Sequence, residues 1–168
     1  MTNPKYHLKS ETIKFNSSLE SKVDIDIQDP RVDENGFDRT TLLKVCNGEK
    51  EIIIKIDWCK FTLSDLDVET LLVEETGLLF FGARFFWGII DIEKGVLDTL
   101  ESCMQFWYLE RHSEAIVITT ELEAISLDLN GDLIHEVPID PPFESEVFPD
   151  KIEYNSIVFG QQILKLRK

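Results

Sequence analysis

Apolar and polar residues alternate over several short stretches of the chain with the two-residue period of a half-buried β-strand. In "KVDIDIQ", Val23, Ile25 and Ile27 alternate with Asp24 and Asp26. Successive side chains of a strand point to opposite faces of a sheet, so this stretch predicts an edge strand with one face buried and the other in water. Patterns of this kind make β-structure the dominant prediction for the chain.

Glycine turns separate the apolar runs and predict hairpins. The dipeptide Asn47-Gly48 lies between apolar runs at 42–45 and 52–56. Asn-Gly favours a tight hairpin turn because both residues tolerate a positive φ. A last hairpin is predicted in "KIEYNSIVFGQQILKL", residues 151–166.

A second Asn-Gly turn lies in "ISLDLNGDLIHEV", residues 125–137, and its register can be predicted. A three-residue loop of Leu129, Asn130 and Gly131, with a left-handed glycine in a bulge, keeps the apolar residues on one face. It pairs Leu127 with Leu133 and Ile125 with His135, and it leaves Ser126 and Glu136 on the other face. We expect this register.

Two longer stretches contain more apolar residues than a half-buried strand needs. "LLFFGARFFWGIIDIEKGVL", residues 78–97, is apolar on both faces and ends in a turn at Glu93-Lys94-Gly95. This composition is typical of a central strand that is covered on both sides. "VLDTLESCMQFWYLER", residues 96–111, fits a helix by spacing, but its aromatic residues and neighbouring turns favour two strands.

Two segments interrupt the β pattern. In "SDLDVETLLVEETG", Ser64 is a candidate N-cap, Val68, Leu71 and Leu72 have helical spacing, and a glycine follows, which predicts one short helix near 64–76. "PIDPPFESEVFPD", residues 138–150, is rich in proline and acids and predicts a loop.

An internal similarity suggests repeated sheets. Residues 78–92 align without gaps on residues 115–129 at an offset of 37 positions, which places Asp91 on Asp128. Periods near 40 residues are typical of propeller blades. The stretch "AISLDLNGDLIHEV" also resembles the strand-turn-strand hairpin of PQQ- and WD-type β-propeller repeats, with His135 where those repeats carry an aromatic residue.

The predicted fold class is mainly β, with antiparallel, blade-like sheets packed face to face as in a sandwich or a propeller. The turn glycines at 48, 95, 131 and 160 are irregularly spaced, which argues against a closed propeller. A closed propeller and a mixed α+β fold are the alternatives. The length of 168 residues predicts a single domain over residues 1–168.

The net charge and the cysteine spacing limit which cellular compartment and which class of partner we expect. The chain has 32 acidic and 17 basic residues, a formal net charge of −15, which repels nucleic acid and anionic membranes and attracts cationic partners. Three cysteines at wide spacing, Cys46, Cys59 and Cys103, give neither a disulfide framework nor a metal motif. With no signal peptide or apolar span in the sequence, we expect a cytoplasmic protein.

No motif in the sequence predicts a cofactor or a metal. Counted from Asp128 as the first position of an EF-hand loop, Leu133 occupies the glycine position and Ile139 the glutamate position, so we expect a turn and no calcium. Neither histidine pairs nor phosphate-binding glycine motifs occur. Catalytic, cofactor and metal sites are therefore predicted to be absent.

The function that this pattern favours is a non-enzymatic acidic interaction module for a basic protein or peptide, for example an immunity or antitoxin-like protein. The candidate partner-binding residues lie in the acidic proline segment, where long irregular loops often carry recognition: Phe143, Glu144, Glu146, Phe148 and Asp150. The aromatic residues around Arg84 are interpreted as core, with a partner-binding patch as the other reading. The alternative function is a small-ligand-binding protein or an enzyme with an unrecognised pocket between the sheets.

Overall fold

The computed structural model describes residues 5–15, 22–33, 36–48, 50–59 and 67–168. All regular secondary structure in these residues is β, and fifteen strands form four small, mostly antiparallel sheets that resemble propeller blades. Across the same ranges, no helix has the length and hydropathy needed to cross a membrane. The prediction of a mainly β fold with blade-like sheets is confirmed.

The first sheet has a long antiparallel hairpin at its centre. Its strands are β1 (His7–Lys14), β2 (Ile25–Gln28), β3 (Arg39–Asn47) and β4 (Lys50–Trp58). They lie in the order β1-β3-β4-β2, with β2 parallel to β4. Gly48, at φ 59°, follows β3, which confirms the Asn47-Gly48 hairpin. Ile25 and Ile27 are buried while Asp26 is exposed, which confirms the alternation that we predicted for an edge strand.

The second and third sheets are simple four-stranded meanders. The second contains β5 (Glu69–Val73), β6 (Leu78–Ala83), β7 (Phe86–Asp91) and β8 (Val96–Ser102). The third contains β9 (Phe106–His112), β10 (Ala115–Thr120), β11 (Glu123–Asp128) and β12 (Leu133–Pro138). The interpretation of residues 96–111 as two strands is confirmed by β8 and β9.

The fourth sheet has three antiparallel strands. They are β13 (Phe143–Val147), β14 (Lys151–Ser156) and β15 (Gly160–Lys165), in that order. The predicted last hairpin is confirmed by β14 and β15. The predicted loop at 138–150 is wrong in its centre, because β13 pairs along its length with β14 and the prolines flank it without interrupting it.

The internal similarity marks equivalent strands of neighbouring sheets. At the offset of 37 positions, β6 and β7 align with β10 and β11, which are the two central strands of the second and third sheets. Asp91 and Asp128 each end the third strand of their sheet, and each accepts backbone N–H bonds from the following turn. The two sheets therefore repeat one structural unit.

Three apolar cores join consecutive sheets. One lies between the first and second sheets, the next between the second and third, and the last between the third and fourth. Side chains of one strand alternate between two cores: Phe81 packs toward the first sheet and Phe80 toward the third. No buried apolar cluster in the described ranges joins the fourth sheet to the first.

The hairpin between β11 and β12 has the predicted three-residue loop. Gly131 has φ 85°, its N–H donates to the carbonyl of Asp128 at 2.9 Å, and the Asp128 N–H donates to the carbonyl of Asp132 at 2.8 Å. Leu127 lies opposite Leu133. The left-handed glycine and this first pair are confirmed.

The register beyond that first pair differs from the prediction. Ser126 lies opposite His135 and Ile125 opposite Glu136, because Ile134 is an extra residue in a second bulge. The Ser126 hydroxyl lies 3.1 Å from the carbonyl oxygen of His135 and 2.6 Å from that of Lys165, so it fastens the bulged strand to the fourth sheet. The predicted pairing of Ile125 with His135 is wrong, and Glu136 takes that face.

The predicted helix near 64–76 is also wrong. Residues 64–66, with the proposed cap Ser64, lie outside the described residues, while Glu69–Val73 forms β5 and pairs with β6 along its whole length. Each residue from Glu69 to Leu72 is half-buried and Val73 is fully buried. Helical spacing over so short a run does not exclude a strand, and pairing with an apolar neighbour favours the strand.

The apolar stretch from 78 contains two central strands where the sequence suggested one. β6 and β7 join through a turn at Arg84 and Phe85, and every residue of β7 is buried. The Arg84 guanidinium lies 4.3 Å from the centre of the Phe85 ring. Phe80, Phe81 and Phe86 are fully buried, so these aromatic residues are core. Gly95 has φ 72°, which agrees with the predicted turn.

Candidate partner-binding surface

The residues selected from the sequence divide between two faces of β13. Phe143 points toward the third sheet, where its ring stacks on Trp107 with 5.4 Å between centroids. Glu144 and Glu146 are exposed on the opposite face. The structure therefore places Phe143 in an interface between sheets, separate from the two glutamates.

The other two selected residues lie in the turn after β13. Phe148 is half-buried beneath the Lys151 ammonium, 4.9 Å from the ring centre, and its N–H donates to the Lys151 carbonyl at 2.8 Å. Asp150 is exposed, and its carbonyl accepts the Leu166 N–H at 2.8 Å. This turn is therefore hydrogen-bonded to the start of β14 and to the segment that follows β15.

Part of the outer face of the fourth sheet, beyond Lys151 and Lys165, is acidic. Glu144 lies opposite Asn155, which lies opposite Gln161, and Glu146 lies opposite Glu153. Together these five residues line an open depression of about 600 Å³. We call this depression the end-face depression.

The carboxylates of the end-face depression are unequally neutralised. Glu153 receives the Lys151 ammonium at 2.5 Å and the Gln161 amide at 3.1 Å, and the Lys151 hydrogen bond lowers the pKa of Glu153. Within the described part of the chain, neither Glu144 nor Glu146 forms an ion pair. Like charges opposite each other across a sheet are unfavourable, so this face favours an external cation.

An apolar hairpin tip adjoins the end-face depression. Ile157, Val158 and Phe159, between β14 and β15, are 79%, 71% and 42% exposed. The strands enter and leave this tip at Asn155 and Gln161, which line the depression. Ile163, 43% exposed, lies opposite Glu153 on the acidic face. Exposed runs of large apolar residues are costly unless a partner covers them.

The apolar tip has a defined conformation. The Phe159 N–H donates to the Ser156 hydroxyl at 3.2 Å, and the Gln162 side-chain amide donates to the Phe159 carbonyl at 2.7 Å. Gly160 follows at φ 64°. These contacts hold the tip in place, which reduces the entropy that binding would cost.

Sequence reasoning missed Ile157–Phe159 as a candidate contact surface. The signal was present: hairpin turns are normally polar, and "NSIVFG" places three large apolar residues directly before the turn glycine. The prediction treated them as strand residues, which would be half-buried. In the structure the strands end before them.

The histidines and cysteines do not converge on a site. His7 is exposed, His112 and His135 are half-buried, and His112 Nε2 lies 3.6 Å from a carboxylate oxygen of Glu110. Burial raises the pKa of the Cys103 thiol to about 12, which disfavours the thiolate. The described residues hold no group of three or more His, Cys, Asp or Glu placed to bind a metal ion.

The turn at Asp128 uses its carboxylate within the protein. Oδ1 accepts the N–H groups of Asn130 and Asp132, each at 3.0 Å, and Oδ2 accepts the Lys168 ammonium at 2.8 Å. Burial acts to raise the pKa of Asp128, but the Lys168 bond and the two backbone bonds outweigh it and lower the pKa. The carboxylate thus stabilises the turn.

Comparison with known proteins does not assign the chain to a family. No family model matches it, and no curated protein matches it significantly. Among solved structures, the chain is similar to the crystal structure of Hsv2 from Kluyvelomyces marxianus, at 11% sequence identity and a TM-score of 0.35. The similarity covers 76% of this chain and 48% of that chain, so this chain spans about half the length of Hsv2.

Proposed function

We propose that the protein is a non-enzymatic interaction module that binds a basic protein or peptide through its fourth sheet. The apolar tip, Ile157–Phe159, inserts into an apolar pocket of the partner, and Glu144 and Glu146 face basic side chains of the partner. An immunity or antitoxin-like protein that neutralises a basic enzyme is one form of this function.

The observation that carries this proposal is the position of the apolar tip beside an acidic depression. Protein interfaces commonly combine a few apolar anchors with a charged rim that sets orientation and association rate. The net charge of −15 extends the attraction for a cationic partner beyond the contact itself.

The alternative, an enzyme or small-ligand binder with a pocket between the sheets, has weaker support. Apolar cores occupy most of the space between consecutive sheets. Among the described residues, neither a cysteine nor a histidine lines the end-face depression or the space bounded by Trp87, Glu123 and Glu136. The cytoplasmic location expected from the sequence stays a prediction, as does the PQQ or WD character of the β11–β12 hairpin.

Affinity capture from the native host, with matched variants as bait, tests the proposal. Ile157→Ser/Val158→Ser removes the anchor, and Glu144→Gln/Glu146→Gln removes the two unpaired charges. Each variant should bind the captured partner about tenfold or more weakly than the wild type does. Added salt should lower the affinity of the wild-type protein for that partner.

The control variant removes the same charge from other sheets. Glu11→Gln/Asp98→Asn changes two exposed acids on the first and second sheets and should leave the partner bound. The proposal is wrong if the captured protein binds the tip variant and the wild type equally, or if it carries no basic surface.

A further inference from the structure

A second groove opens between the second and third sheets, away from the fourth sheet. Trp87, Ile125 and Leu127 form its floor and are 6%, 7% and 4% exposed, and Leu133 stands at its edge with 55% exposure. The groove encloses about 400 Å³. We call it the inter-sheet groove. Its floor belongs to the core between the two sheets, so its shape is fixed by packing.

Strand register places three carboxylates around this apolar floor. Glu101 lies opposite Trp87 in the second sheet, and Glu136 lies opposite Ile125 in the third. Glu123 precedes Ile125 by two residues and so shares its face. The three glutamates therefore reach the inter-sheet groove from strands β8, β11 and β12.

The bulge at Ile134 is what brings Glu136 to the groove. Without the extra residue, His135 would lie opposite Ile125 and Glu136 would face the other side of the sheet. Bulges often re-aim a side chain near functional sites. Here the bulge places the carboxylate of Glu136 beside those of Glu101 and Glu123, above the apolar floor of the groove.

No described basic side chain neutralises these carboxylates. Glu101, Glu123 and Glu136 form no ion pair with any residue in the described ranges. Burial raises the pKa of Glu123, and the charges of Glu136 and Glu101 raise it further. The described residues also offer no metal-binding group here. Since the described residues supply no complementary positive charge, the groove suits a cationic group from another molecule.

We propose that the inter-sheet groove binds an arginine or lysine side chain from an extended segment of a partner protein. The aliphatic part of that side chain lies on Trp87 and Leu133, and its cationic end lies between Glu123 and Glu136. Long basic side chains bury an apolar stem while the charged end remains among polar groups, which matches an apolar floor with an acidic rim. This site is independent of the surface proposed on the fourth sheet.

Titration with short peptides, followed by NMR of the labelled protein, tests this proposal. The probe is acetyl-Ala-Arg-Ala-Arg-Ala-amide, with a lysine version and a citrulline version of the same length. The arginine or lysine peptide should shift the Trp87 indole N–H signal and the amide signals of β11 and β12 to saturation. The uncharged citrulline peptide should bind at least about tenfold more weakly, since it lacks the charge-assisted bonds.

Matched variants separate this site from the fourth sheet. Glu123→Gln/Glu136→Gln keeps the side-chain shapes and should weaken the arginine peptide by about tenfold, while Glu144→Gln/Glu146→Gln should leave its affinity unchanged. The groove proposal is overturned if the citrulline peptide binds equally well, or if only the Glu144 and Glu146 variant weakens binding. A variant that keeps the wild-type amide spectrum without peptide confirms that the fold is intact.

Discussion

Replacing Gly131 with alanine tests the geometry of the β11–β12 hairpin. Gly131 has φ 85°, a left-handed conformation that costs an L-residue roughly 1–2 kcal/mol. A Cβ atom there would also lie 3.1 Å from Cδ1 of Ile89, so the buried Ile89 side chain would have to move by a few tenths of an ångström. Alanine restricts the unfolded chain, which offsets part of the cost. We expect a net loss on the order of 1 to 3 kcal/mol in the free energy of unfolding.

Two control variants separate the backbone and packing contributions. Gly48→Ala places alanine at φ 59° with no heavy atom within 4 Å of the new Cβ, so it should cost about 1 kcal/mol or less from the backbone alone. Asp132→Ala, where the side chain is 73% exposed, should cost under about 0.5 kcal/mol. Urea unfolding followed by tryptophan fluorescence measures all three, and an unchanged m-value would show that only stability has altered.

The order of the three urea midpoints distinguishes the backbone cost from the packing cost. If Gly131→Ala and Gly48→Ala lower the urea midpoint equally, the contact with Ile89 contributes nothing to the cost. If neither variant is more destabilising than Asp132→Ala, the left-handed turns are not present in solution, and the register built on the β11–β12 hairpin is refuted with them.

Three further substitutions test the sheet interfaces. Glu123→Gln should raise the thermal midpoint at pH 7, because burial and nearby carboxylates raise the pKa of Glu123 above 4.5. The wild-type folded state therefore loses stability as the pH rises from 4.5 through that raised pKa. The gain from glutamine should vanish near about pH 4, where Glu123 is protonated in both the folded and the unfolded state. Phe143→Leu should cost about 1 to 2 kcal/mol in urea unfolding, since it loses the stack on Trp107, and should leave partner capture intact. Gly82→Ala should cost about 2 kcal/mol or more, because its Cβ would lie 2.1 Å from the buried Phe106 ring; a urea midpoint near wild type would contradict that close approach.

Local patterns in the sequence were sufficient for most of the strands and turns. Asn47-Gly48 and Asn130-Gly131 predict hairpins because the required φ is a property of those residues. The offset between Asp91 and Asp128 identifies two equivalent sheets, since each aspartate accepts hydrogen bonds from its own turn. These features depend on neighbours in sequence, and they are the ones that the structure confirms.

Contacts between distant segments account for the errors. The bulge at Ile134 coincides with a hydroxyl of Ser126 that lies close to the carbonyl of Lys165, a residue of another sheet. Pairing with β6 makes Glu69–Val73 a strand despite its helical spacing. The same cause explains why the sequence and the structure point to different apolar contact residues. Trp107 of the third sheet covers Phe143, which was chosen from the sequence, whereas Ile157 is 79% exposed.

The stacking of sheets in chain order has a consequence for folding. The second, third and fourth sheets are each built from consecutive strands, so each can assemble from hairpins with short loop closures. Because each core joins only neighbouring sheets, stability is approximately a sum of sheet and nearest-neighbour terms, as in repeat proteins. The third sheet, held by cores on both faces, then exchanges its amide hydrogens slowly, while the fourth sheet, covered on one face, opens at lower free energy. The surface with the exposed apolar tip is thus also the part of the stack that a bound partner would stabilise most.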